Sequence, residues 1–116
     1  MNDKTPWVLV DNDQLITSVW AMAAEMMAVD LRVFTSADAL LNQLDALPTN
    51  TKFYIDSDLG DGLLGEDVCQ QLSQQGFSEI YLCTGYPAEH FKPMPWIKAI
   101  VGKHPPFYPS AGNIIQ

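Results

Sequence analysis

The sequence predicts a three-layer α/β sandwich built on a five-stranded parallel sheet. Two observations predict it. Short apolar runs rich in β-branched and aromatic residues alternate with stretches of helical periodicity, which calls for crossovers that cover both faces of a parallel sheet. Several of those runs also stop at a single polar residue: Asp11, Asp56, Thr84 or Lys103. In a parallel sheet such residues share one edge, the carboxyl ends of the strands, where open α/β sheets bind ligands.

Trp7 to Val10 is the first strand, ended by Asp11. Residues 13–29 follow as a helix, with Asp13 as N-cap and Leu15, Val19, Met22 and Met26 recurring at helical spacing. Leu31 to Phe34 is a second strand, after which Ser36 caps a helix carrying Leu40, Leu41, Leu44 and Leu47 on one face until Pro48 ends it. Residues 53–55 form the third strand. The glycine-rich loop 58–65 leads into a helix that turns Val68, Cys69 and Leu72 inward and ends near Gly76. Ile80 to Cys83 is the fourth strand and residues 97–101 the fifth. Between them residues 88–91 have room for one short helix before Pro93 and Pro95.

With 116 residues, 47% of them hydrophobic, the chain can bury a core as one domain without disulfides or metals. A formal net charge of −8 with no basic stripe argues against direct nucleic-acid binding. Cys69 and Cys83 lie in apolar runs without metal-ligand spacing, as buried thiols of a reducing compartment do. No stretch reaches the ~18 uncharged apolar residues of a membrane span, and the first residues lack the regions of a signal peptide. A cytoplasmic location, without membrane contact, is the expectation.

Carboxylates at Asp11 and Asp56, a hydroxyl at Thr84 and an amine at Lys103, gathered at one sheet edge, make a pocket suited to phosphate. Asp13 serves as a helix cap, whereas Asp11 ends its strand too early for that purpose. On these residues, in this order and near-family spacing, residues 7–106 resemble the receiver domain of two-component response regulators, with its flavodoxin-like strand order 2-1-3-4-5. The resemblance implies that Asp56 accepts a phosphoryl group from a histidine kinase or phosphotransfer protein. It implies that Thr84 turns its hydroxyl onto the phosphoryl oxygen, with open space beside Gly85, and that Lys103 pairs with the phosphoryl group and with Asp11. It also implies a magnesium ion held by Asp11, Asn12, Asp56 and the backbone carbonyl of Asp58, an oxygen set of the kind this ion takes. Such a domain signals through protein contacts and is not an enzyme in the ordinary sense.

The chain departs from that pattern at several points. Asn12 replaces a second acidic residue and weakens the expected hold on magnesium. The loop after Asp56 is one residue longer than usual and has Gly60 in place of a proline, which favours mobility. Asp58 brings another carboxylate near the phosphoryl group, and Ile100 stands where an aromatic switch residue is usual. His104 follows Lys103, which moves any cis bond to His104-Pro105. His90 and His104 read as surface residues.

The prolines and Gly112 after Lys103 rule against a fifth helix, so the receiver is expected to span residues 1–104 and a proline-rich tail residues 105–116. The first helix is apolar on more than one side, with Trp20, Met22, Met26 and Met27 and only Glu25 as a charge. That pattern fits a wide core stripe. It equally fits a face covered by Phe107, Tyr108, Ile114 and Ile115 of the tail, or docked on a partner or a second copy through this helix or an exposed sheet face. Two further functions remain open: an interaction module that works without phosphorylation, and a small nucleotide or flavin binder. The acidic turn Asp11-Asn12-Asp13-Gln14, without phosphate-cradling glycines, opposes the last.

Overall fold

The computed structural model of the chain describes residues 5–107. Five strands, β1 (Trp7–Val10), β2 (Leu31–Phe34), β3 (Lys52–Asp56), β4 (Ile80–Cys83) and β5 (Ala99–Val101), form one sheet in the order β2-β1-β3-β4-β5. Every neighbouring pair is parallel. The central strands β1, β3 and β4 are apolar on both faces because both faces are covered. Register sets the functional edge: Val10 lies beside Ile55, and Asp56 beside Cys83. Asp11 and Asp56 therefore leave the sheet side by side.

Three α-helices cross between strands: α1 (Gln14–Met26), α2 (Ala37–Leu41) and α3 (Gly65–Gln74). Asp13 caps α1 by accepting the Leu15 N–H at 2.9 Å, and Ser36 caps α2 by accepting the Ala39 N–H at 3.2 Å. The second helical stretch breaks after Leu41 and resumes as a 3-10 turn at Leu44–Ala46, so only Leu40 and Leu47 of its leucines are buried. Gly76, at φ 99°, takes the left-handed conformation that ends α3, and Phe77 N–H donates back to the Leu72 carbonyl. A 3-10 turn at Ala88–His90 stands where a fourth helix was expected to be short. Residues 102–107 contain no helix. No peptide bond among the described residues is cis, so His104-Pro105 does not carry the cis bond considered above.

The two faces of the sheet are built differently. One is mainly aliphatic: Val8, Val10, Ile55, Ile80 and Leu82 pack under α2 and α3 around the single edge-on pair Phe53 and Phe77. The other, under α1, is largely aromatic. Trp7 and Tyr54 stack at 5.7 Å, Tyr54 and Tyr81 at 4.7 Å, and Trp20 and Phe107 meet this row at steep angles. Large flat rings cover with few residues a face that α1 alone is too narrow to span. Phe107 belongs to this cover, whereas Tyr108, Ile114 and Ile115 lie outside the described residues.

Of the readings left open for α1, the wide core stripe does not hold. The periodic stripe Leu15, Val19, Met22 and Met26 points outward, with Leu15 71% and Met26 73% exposed. The buried face consists of Trp20, Ala23 and Ala24. Two small alanines let the helix approach a sheet face already filled by rings, and the single tryptophan supplies the volume between them. Met22 and Met27 are likewise exposed, so α1 is not enclosed on most sides.

Candidate functional site

At the carboxyl edge, Lys103 joins the two strand-end carboxylates. Its Nζ lies 2.7 Å from Asp11 Oδ2 and 2.8 Å from Asp56 Oδ1. The Asp11 side chain is 1% exposed, that of Asp56 9% and that of Lys103 28%, so these charges interact through little solvent. Asp11 Oδ1 also accepts the Asp13 N–H, and Asp56 Oδ1 accepts the Asp58 N–H. Burial pushes the Asp56 carboxyl above its usual value and Asp11 adds to the rise, while Lys103 and the Asp58 N–H pull it down. Burial lowers the Lys103 ammonium, but its bonds to Asp11 and Asp56 outweigh that and leave it raised. Two carboxylates around one ammonium leave the pocket with a surplus negative charge.

The backbone around this triad is fixed from several sides. Trp20 Nε1 on α1 donates to the Lys103 carbonyl at 2.9 Å, tying the lysine to the aromatic face. Thr84 N–H donates to the Val101 carbonyl, and the Cys83 thiol to that of Gly102. Burial pushes that thiol up to about 12, so it remains a neutral donor. Gly65 allows α3 to start against β3: a Cβ there would stand 1.9 Å from the Asp56 carbonyl oxygen. The longer loop closes on itself through Leu59 N–H to Leu63 O and Gly60 N–H to Asp58 Oδ1.

Thr84 is buried and its hydroxyl is engaged by neighbours other than Asp56. Ser57 Oγ donates to Thr84 Oγ1 at 3.0 Å, and the Tyr86 N–H donates to the same oxygen at 3.1 Å. Both lone pairs are taken, so the hydroxyl has its own hydrogen left to give. A phosphoryl oxygen accepts such a hydrogen. A Cβ on Gly85 would meet nothing within 4 Å, consistent with the open space expected there.

The expected magnesium ligands present hard oxygens in kind: two carboxylates, the Asn12 amide and the Asp58 carbonyl. Gly60 leaves room for Asn12, because a Cβ there would come within 3.1 Å of Asn12 Nδ2. No group of three His, Cys, Asp or Glu able to hold a metal occurs among the described residues. The donor types suit the ion only in kind, and at a lower charge than an acidic residue at position 12 would give.

Sequence reasoning did not find Ser57 or Trp20 as parts of the site. A buried serine directly after the central aspartate is a weak signal, and nothing local links Trp20 to a lysine 83 positions away. His90 and His104 are on the surface as expected, with His90 stacked on Tyr86 at 4.3 Å. No described helix is long and apolar enough to cross a membrane.

No protein-family model and no curated protein sequence matches the chain. Solved structures do. A CheY-like response regulator receiver domain protein from Methanospirillum hungatei JF-1 superposes with a TM-score of 0.72 at 18% identity, over 87% of this chain and 82% of the other. The signal receiver domain of an HD domain-containing protein from Pseudomonas fluorescens Pf-5 gives 0.75 at 17% identity, over 89% and 78%. A CheY-like receiver domain from Methylobacillus flagellatus gives 0.71 at 14%, over 87% of each chain. The chain has the flavodoxin-like fold of response-regulator receiver domains.

Proposed function

We propose that this chain is a two-component receiver that takes a phosphoryl group on Asp56 from a histidine kinase or phosphotransfer protein and passes the signal on by protein contact. The observation that carries the reading is Lys103 Nζ held between Asp11 and Asp56 at 2.7 and 2.8 Å. An Asp56 carboxylate oxygen attacks phosphorus, the bond from phosphorus to the donor imidazole nitrogen breaks, and that nitrogen leaves with the electron pair and is protonated from solvent. Asp56 becomes an acyl phosphate. Lys103 exchanges its contact with Asp56 for a phosphoryl oxygen while keeping Asp11, and Thr84 donates its hydroxyl hydrogen to another. Asp11, Asn12, Asp56 and the Asp58 carbonyl would hold a magnesium ion, which would supply further positive charge at the site.

The test is intact mass after incubation with magnesium and acetyl phosphate. The wild type gains one phosphoryl group and Asp56→Asn gains none; a wild type that stays unmodified sinks the proposal. A second reading, fixed protein contacts without phosphorylation, draws on Ile100 in the switch position and on the carboxylates already neutralised in part by Lys103. It predicts that partner binding is unchanged in Asp56→Asn.

A further inference from the structure

β5 ends at Val101 and no helix follows it among the described residues, so the backbone that carries Lys103 lies outside any regular element. Hydrogen bonds to three successive carbonyls hold it instead. Thr84 N–H donates to Val101 O at 2.9 Å, the Cys83 thiol to Gly102 O at 3.1 Å and the Trp20 indole N–H to Lys103 O at 2.9 Å. The first two come from β4 and the residue after it, whereas the bond at the lysine itself comes from α1. Trp20 is fully buried, and its ring meets a second part of the same segment. Phe107 stands edge-on to Trp20 at 5.7 Å and 85°, and edge-on to Trp7 at 5.0 Å and 76°. Between the two contacts lie His104, Pro105 and Pro106. Each proline fixes its own φ and keeps the residue before it extended, so the link is stiff.

We infer that Phe107 is a positioning residue for Lys103: it seats the Trp20 ring, the Trp20 N–H holds the Lys103 carbonyl, and the ammonium is thereby aimed between Asp11 and Asp56. This role deepens the phosphoryl-acceptor reading and rests on it. A lysine carries its charge on a long flexible stem, which two carboxylates alone hold in place only while both are free. Here the residue is fixed at both ends, its carbonyl by Trp20 at 2.9 Å and its Nζ by Asp11 and Asp56 at 2.7 and 2.8 Å. When Asp56 takes a phosphoryl group and releases the ammonium, the anchor at the backbone end remains. The stiff link to Phe107 limits how far that anchor can drift. If Phe107 served only as apolar cover for the sheet, its removal would lower stability and leave the uptake rate per folded molecule unchanged.

The test measures phosphoryl uptake by the full chain from acetyl phosphate with magnesium, by intact mass and per folded molecule. Phe107→Ala should slow uptake about tenfold, the scale of a misplaced reacting group, while Phe107→Tyr, which keeps the ring, should stay within about twofold of wild type. Phe107→Leu keeps apolar volume without a ring edge, and gives the same comparison should the alanine variant not fold. In the unphosphorylated protein, the Trp20 indole N–H should exchange with solvent faster in Phe107→Ala than in Leu72→Ala, a fully buried truncation on the opposite face. Added to Trp20→Phe, Phe107→Ala should slow uptake little further, because both act through one hydrogen bond. Wild-type uptake in Phe107→Ala, equal N–H exchange in the two truncations, or full additivity with Trp20→Phe overturns the role of Phe107 and leaves the acceptor reading standing. A wild type that takes up no phosphoryl group overturns the acceptor reading, and this role with it.

Discussion

The two faces of the sheet bury comparable strands yet do different work. Under α2 and α3 the contacts are mostly aliphatic: Val8, Val10, Ile55 and Leu82 fill space around Phe53 and Phe77. Under α1 the rings of Trp7, Tyr54, Tyr81, Trp20 and Phe107 fill space as well, but Trp20 also grips the backbone of Lys103. The aliphatic face holds the fold together, whereas the aromatic face connects a helix with an exposed apolar stripe to the charged triad. Packing and function are separable on the first and joined on the second.

Truncating each face should expose that difference. Trp20→Ala and Leu40→Ala both remove fully buried side chains and should cost about 3–5 and 2–5 kcal/mol in denaturant unfolding. Only Trp20→Ala should also slow phosphoryl uptake per folded molecule. Trp20→Phe separates the two effects, because it keeps ring bulk and removes the N–H. Equal uptake by Trp20→Phe and wild type would reduce the Lys103 contact to packing.

Lys103→Met leaves Asp11 and Asp56 facing each other without a cation and should cost about 2 kcal/mol, allowing for the lysine's partial exposure. The pH dependence has a definite sign. Lys103 is raised above its usual 10.5, so its contribution is complete below that value and fades as pH climbs through the higher folded-state value. Asp56 is raised above 3.8, so its ionised form opposes folding at neutral pH, and that penalty eases as pH falls toward the unfolded value. Alkaline unfolding should therefore begin at lower pH in Lys103→Met than in wild type. Matching alkaline limbs would show that the lysine contributes nothing to folding.

Ser57→Ala is the mildest change, about 1 kcal/mol for one lost hydrogen bond. It frees one lone pair of Thr84 Oγ1 and so loosens the direction of the hydroxyl. The aspartyl phosphate should form at a near-normal rate and read out less fully in the amide signals around Thr84. An unaltered response would make Ser57 a packing residue.

Much of this arrangement is legible in the sequence. β2 and β4, the caps Asp13 and Ser36, and the glycine at the end of α3 follow from local chemistry, which the chain obeys. Strand ends are local too, and the parallel register then places Asp11 beside Asp56. The direction of the α1 stripe stays open in the sequence because periodicity marks a face without saying which way it points. The alanines that permit close approach carry little hydrophobic signal. Trp20 with Lys103 is a pairing across the fold that only the packed structure reveals.

As a phosphoryl acceptor, the Asp11, Asp56 and Lys103 cluster should pass its state on to Thr84. Amide spectra recorded with magnesium during addition of beryllofluoride, a stable phosphoryl mimic, test it most directly. Saturable shifts are expected at Asp56, Ser57, Thr84 and Lys103, and they should vanish in Asp56→Asn. Spectra that do not move at these residues in the wild type would contradict it.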